Sequence, residues 1–195
     1  MIFFFRDNNE HTGDISVWDT LTRSMVTQWN TESSVHSLLS LKKKIISEEE
    51  DYLCSGHGDG MINVWNSKGE CIRQLKGHTD GVQCLVMQGS HLISGSWDET
   101  LLKWDLKTGQ CLQILEGHTN WVNCVIECHG LLFSGSYDNT ILVWDQSGQC
   151  IQTIQADSEV YSLKIFDGRL YCGCNDGHLY SWPGKFPLFI HLIPF

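Results

Sequence analysis

The sequence predicts an all-β protein made of repeated four-stranded antiparallel sheets, and three observations predict it. Tryptophan recurs at a nearly constant interval. Each later Trp is preceded at fixed distances by an Asp and a Ser or Cys. Between these anchors, apolar residues alternate with period two and stop at Gly- or Asp-centred turns. The 195-residue chain is 42% hydrophobic and has eight Trp and eighteen Gly but only three Pro. Pro183, Pro187 and Pro194 all lie beyond Trp182, where the chain changes character.

The repeat is read by aligning Trp18, Trp65, Trp104, Trp144 and Trp182, which are 47, 39, 40 and 38 residues apart. Before the last four stand Ser55-Gly-His-Gly-Asp59, Ser94-Gly-Ser-Trp-Asp98, Ser134-Gly-Ser-Tyr-Asp138 and Cys172-Gly-Cys-Asn-Asp176. A second anchor is the valine that opens another strand: Val35, Val82, Val122 and Val160. The long first interval reflects an insertion around Lys42–Asp51, where lysines and carboxylates compensate one another as in a solvated loop. Met61–Trp65, Leu101–Trp104 and Ile141–Trp144 read as short strands, each entered through an Asp-centred turn. Gly69, Gly109 and Gly148 then turn the chain into a further strand. One such sheet cannot bury both faces alone, so it must stack on similar neighbours.

With Gly77-His78 paired to Trp104-Asp105, and Gly117-His118 to Trp144-Asp145, the chain resembles the WD-repeat family over about residues 2–182. The resemblance implies a β-propeller of four-stranded WD-repeat blades. A common ring of seven such blades needs about 280 residues. The expectation is therefore an incomplete propeller, an open arc of about five blades, from a fragment or truncated product. Its divisions are a partial blade over 1–29, blades over 30–75, 76–115, 116–154 and 155–182, and an atypical apolar tail over 183–195, where Leu188–Ile193 could pair as a fourth strand. Departures from the pattern are Thr12 in place of a turn Asp, Thr31 and Ala156 in place of His, and Pro183 after Trp182. The short connections are similar to those of propellers attached to α-kinases, RING/zinc-finger proteins and F-box proteins.

His78, Ser94 and Asp98, like His118, Ser134 and Asp138, hold the ingredients of a hydrolase triad. A catalytic Ser needs an exposed Oγ beside an oxyanion hole, and no motif supplies one. The resemblance implies instead that each set, with Trp104 or Trp144, forms a buried structural relay. Nothing in the sequence points to a cofactor. Cys172 and Cys174 with His178, or Cys54 with His57, fall short of paired zinc-ligand clusters. Cysteines that keep their place in the repeat (Cys71, Cys111 and Cys150; Cys84 and Cys124; Cys54 and Cys172) are expected to be small buried apolar residues in a reducing compartment.

Binding is expected on the face that carries the turn before each Trp strand. There the residues preceding the turn Asp (Trp97, Tyr137, Asn175) meet those flanking the buried Val (His36, Gln83, Trp121, Asn123, Glu159, Tyr161). Trp97, Trp121, Tyr137 and Tyr161 form a candidate aromatic patch. The expected partners are proteins or peptides, in a signalling or ubiquitin-ligase complex. Trp104-Asp105-Leu106-Lys107 loosely resembles a ligase-adaptor signature. A formal net charge of −10 argues against nucleic acid. No apolar run is long enough to span a bilayer, and Arg6 and Asp7 end the apolar Met1–Phe5 short of a signal-peptide core. An intracellular, cytoplasmic scaffold or adaptor without catalytic activity is the leading expectation. The alternatives are the propeller part of a larger enzyme such as an α-kinase, and a truncated, non-functional remnant.

Overall fold

The computed structural model describes residues 2–9, 12–19, 21–42, 45–46 and 51–183. Among them every regular element is a strand. The first sheet pairs β1 (Ile2–Asn9), β2 (Thr12–Asp19) and β3 (Ser24–Asn30). The second holds β4 (Val35–Leu41), β5 (Tyr52–His57), β6 (Ile62–Trp65) and β7 (Cys71–Leu75). The third holds β8 (Val82–Gln88), β9 (His91–Ser96), β10 (Leu101–Asp105) and β11 (Cys111–Leu115). The fourth holds β12 (Val122–Cys128), β13 (Leu131–Ser136), β14 (Thr140–Trp144) and β15 (Cys150–Gln155). The fifth has β16 (Val160–Phe166), β17 (Arg169–Cys174) and β18 (Leu179–Pro183). All are antiparallel meanders in chain order. The expected strand over Leu188–Ile193 lies outside the described residues.

Successive sheets meet chiefly through their first strands: β4 against β8, β8 against β12, β12 against β16. The five sheets are thus blades of an open propeller arc, and the core lies between them. Leu75, Val82, Leu92 and Trp104 share one cluster across blades two and three; Leu115, Val122, Leu132 and Trp144 share the next. Each fully buried aliphatic side chain contributes about 1.5–3 kcal/mol. Close stacking needs Gly95, since a Cβ there would stand 2.7 Å from Val122 Cγ1. Side-chain bonds reinforce the stack: Asn123 Nδ2 donates to Val160 O at 2.9 Å, and Gln88 Nε2 to Gly130 O at 2.8 Å.

The cysteines depart from expectation in part. Cys54 and Cys172 are buried, but Cys71, Cys111 and Cys150 are exposed. They open the outermost strands β7, β11 and β15, whose outer edges pair with no strand among the described residues, and each thiol contacts the carbonyl two residues on, at 3.4–3.6 Å. Position in the repeat sets their environment, and that position is an edge.

Candidate functional site

Each inner strand begins with a buried Val followed by a β-bulge. The register slips between Val35 and Ser37, Val82 and Cys84, Val122 and Cys124, and Val160 and Ser162. The extra residues are His36, Gln83, Asn123 and Tyr161, and a bulge re-aims the residue it frees from the ladder. The residue before each Val is tied to the turn on the neighbouring strand. Gly58 N donates to Ser34 O, Trp97 N to Gly81 O and Tyr137 N to Trp121 O, all at 2.9 Å; Asn175 N donates to Glu159 O at 3.0 Å. Four repetitions of one backbone bond bring the turn residues and the strand openings together on one face.

On that face the aromatic side chains form a continuous ladder. Ring centroids are 4.9 Å apart for His36 and Trp97, 5.2 Å for Trp97 and Trp121, 5.4 Å for Trp121 and Tyr137, and 5.7 Å for Tyr137 and Tyr161. The tyrosine hydroxyls are 3.0 Å apart. The ladder crosses blades two to five. Trp121 is 42% exposed and Tyr161 44%, whereas Trp97 and Tyr137 are half-buried. Trp97 lies over Gly81, where a Cβ would come within 2.8 Å of its ring. Of the other sequence candidates, Asn123 has its amide committed to blade five, Gln83 is half-buried beside the ladder, and Glu159 and Asn175 occupy its last turn.

Charge is distributed unevenly between the two ends of the blades. Among the described residues, the connections on the ladder face carry Glu32, Asp59, Asp80, Asp98, Glu99, Glu116, Asp138, Asp157, Glu159 and Asp176, against Lys76 as the one Lys or Arg. At the opposite end, also among the described residues, Arg23, Lys42, Lys68, Lys107 and Arg169 nearly balance Asp19, Asp51, Glu70, Asp105, Asp145 and Asp167. The Ser158 hydroxyl, 2.7 Å from Glu159 Oε2, helps hold that carboxyl below the ordinary range.

Two Asp on the ladder face belong to buried relays. Trp104 Nε1 donates to Ser94 Oγ at 2.8 Å, His78 Nε2 is 2.7 Å from the same oxygen, and His78 Nδ1 is 2.7 Å from Asp98 Oδ2. Trp144, Ser134, His118 and Asp138 repeat this at 2.8, 2.7 and 2.8 Å. An indole N–H can only donate, so each serine accepts from Trp, donates to His Nε2, and leaves Nδ1–H to donate to Asp. Ser94 and Ser134 have no exposure, so their hydroxyls are sealed from any substrate. Burial opposes ionisation of Asp98 and Asp138, but bonds from His78 and Thr100, or His118 and Thr140, outweigh it and hold both well below the ordinary carboxylate range.

Blade two builds its relay differently. Thr31 stands at the His position and is bonded to the Gly13 and Ser33 carbonyls. Its place is taken by His57, from within strand β5: Nε2 is 2.7 Å from Ser55 Oγ, which accepts from Trp65 Nε1 at 2.7 Å, and Nδ1 is 3.3 Å from Ser33 O. Burial lowers the His57 pKa from its ordinary 6.5. A cleft of about 400 Å³ lies beside this relay, between Thr31, Asp59 and Lys76. The sequence carried the signal, a His in Ser55-Gly-His57 where two other repeats have Ser-Gly-Ser. Blade five has no relay: Ala156 replaces His, Cys172 and Cys174 are buried with sulfurs 3.2 Å apart, and Asp176 accepts from Tyr180 Oη at 2.6 Å. The His178 side chain is 72% exposed and paired with Asp176, so it does not converge with the thiols. Among the described residues no cluster of three or more His, Cys, Asp or Glu could hold a metal, and no helix is long and apolar enough to cross a membrane. Trp104-Asp105-Leu106-Lys107 turns on the opposite face, where Asp105 Oδ1 accepts from Lys107 N at 2.7 Å.

Comparison with known proteins follows the same repeat. The family model described as "WD domain, G-beta repeat" matches residues 26–66, 69–105 and 109–145. The nuclear distribution protein nudF of Aspergillus flavus is 43% identical over 58 residues, 29% of this chain and 13% of that protein. Protein groucho of Drosophila melanogaster is 33% identical over 97 residues, 48% of this chain and 13% of that protein. The chain thus spans a small part of these curated relatives. Among solved structures, the computationally designed Ika8 protein superposes with a TM-score of 0.73 at 27% identity, over 91% of this chain and 57% of that one. The designed Ika4 protein gives 0.67 at 31% identity, over 78% and 92%.

Proposed function

The chain belongs to the WD-repeat family, and from that premise we propose that it is a non-catalytic protein-interaction module whose partners dock on the ladder face. The observation that carries this reading is the unbroken contact of His36, Trp97, Trp121, Tyr137 and Tyr161 across four adjacent blades. Large rings held on rigid strands supply interface energy at low entropic cost, and such residues dominate binding hot spots. The buried relays support this role by fixing the loops that carry the ladder, since Thr79 N and Thr119 N donate to Asp98 and Asp138 at 3.0 Å. The sealed serines of the relays, which no substrate can reach, also favour an interaction module over a hydrolase.

The test is affinity capture from cell extract with the wild-type chain and a Trp97→Ala/Trp121→Ala variant, each first shown to melt cooperatively. We expect the variant to lose the specific partners of the wild type. An unchanged partner set would place the binding surface elsewhere.

A further inference from the structure

We infer that the ladder face accepts an extended, arginine-rich segment of a partner protein. The inference rests on the reading of this face as the docking surface and adds the chemistry of its occupant. Two independent features converge on a cation. The rings supply π-faces, of which Trp121 and Tyr161 are the more open. The surrounding connections supply ten carboxylates, two of them held in the buried relays, against Lys76 alone among the described residues, while the opposite end of the blades is close to balance. A carboxylate rim around neutral rings repels acidic partners and attracts basic ones.

Arginine suits this arrangement better than lysine. Its planar guanidinium stacks on an indole or phenol ring while its N–H groups reach a carboxylate. Glu159 occupies the position before Val160 that Trp121 occupies before Val122, and Asp80 precedes the Gly81 on which Trp97 lies. Acid and ring therefore stand near one another at both Trp97 and Tyr161. Centroid steps of 4.9–5.7 Å make the five-ring ladder long enough for roughly six residues of extended chain. A strand presents side chains to one side about every 7 Å, so alternate arginines would meet successive parts of the ladder.

The experiment measures binding of three fluorescent peptides to the whole chain by anisotropy: octa-arginine, octa-glutamate and a neutral Gly/Ser peptide of equal length. Octa-arginine is expected to bind, and the other two are not. Its affinity should fall about tenfold in Trp97→Ala/Trp121→Ala and by a similar factor in Asp80→Asn/Glu159→Gln. It should hold within twofold in Asp51→Asn/Asp167→Asn, a pair from the opposite face. Equal weakening by both acid pairs, or none by the aromatic pair, would mean diffuse attraction to an acidic chain and would overturn the inference. If octa-arginine fails to bind while the aromatic variant still loses its captured partners, the arginine assignment falls and the ladder reading stands.

Discussion

Ser94 and Ser134 each tie a Trp and a His, and through the His an Asp, to a hydroxyl that solvent cannot reach. Removing the ring between serine and carboxylate leaves the buried serine O–H without its acceptor and takes one donor from the carboxylate, which costs about 1–3 kcal/mol for a buried polar group. His118→Ala should therefore lower unfolding stability at pH 7 by that amount in chemical denaturation. The acid side of the stability profile carries a second signature. Because Asp138 has a folded pKa below its ordinary 3.8, its contribution is complete above that value and is lost as pH falls below it. In His118→Ala the Asp loses one of the bonds that depress it, so the decline in stability on acidification should be shallower than in wild type. Parallel curves with equal midpoints would contradict the relay.

At the scale of the strand, the bulge after each opening Val and the glycine before Val82 shape the face. Gly81 has the space that the Trp97 ring fills, so Gly81→Ala should displace Trp97 from Trp121 and His36 while leaving the buried Trp104 and Trp144 in place. The check is a change in tryptophan near-ultraviolet dichroism or emission with a melting temperature within a few degrees of wild type. Unaltered spectra would show that the ring does not depend on that gap. The strands themselves were legible because period-two alternation, turn Asp and terminal Trp recur together. The bulges were not, since one unpaired residue leaves no compositional mark. Alternation put Tyr161 and His36 on the side away from the buried Val but could not show that their rings meet those of an adjacent blade. Cys71, Cys111 and Cys150 misled for a related reason: a repeat position records which strand a residue occupies, and β7, β11 and β15 are outer strands.

Over the whole molecule, the spacing of tryptophans carried the architecture, since a sheet recurring every forty or so residues buries its faces only by stacking on copies of itself. His57 was harder to see. Thr31 reads as a missing histidine, and only the folded chain shows a ring reaching the same serine from inside the blade. The division of charge was also hidden, because the net charge of −10 does not reveal that the ladder face holds most of the excess until the strands sort each connection to one end or the other. Folded, the chain sets a row of aromatic rings in an acidic rim across four stacked blades, three of them tied by buried relays.

Whether these rings, and not the buried indoles, meet partners can be read from the indole N–H signals of the eight tryptophans in a ¹⁵N-labelled sample, assigned by single Trp→Phe variants. On titration with a captured partner, the signals of Trp97 and Trp121 should shift or broaden first, while those of Trp104 and Trp144 stay fixed. Unmoved Trp97 and Trp121 signals at saturation would mean that partners dock elsewhere on the molecule.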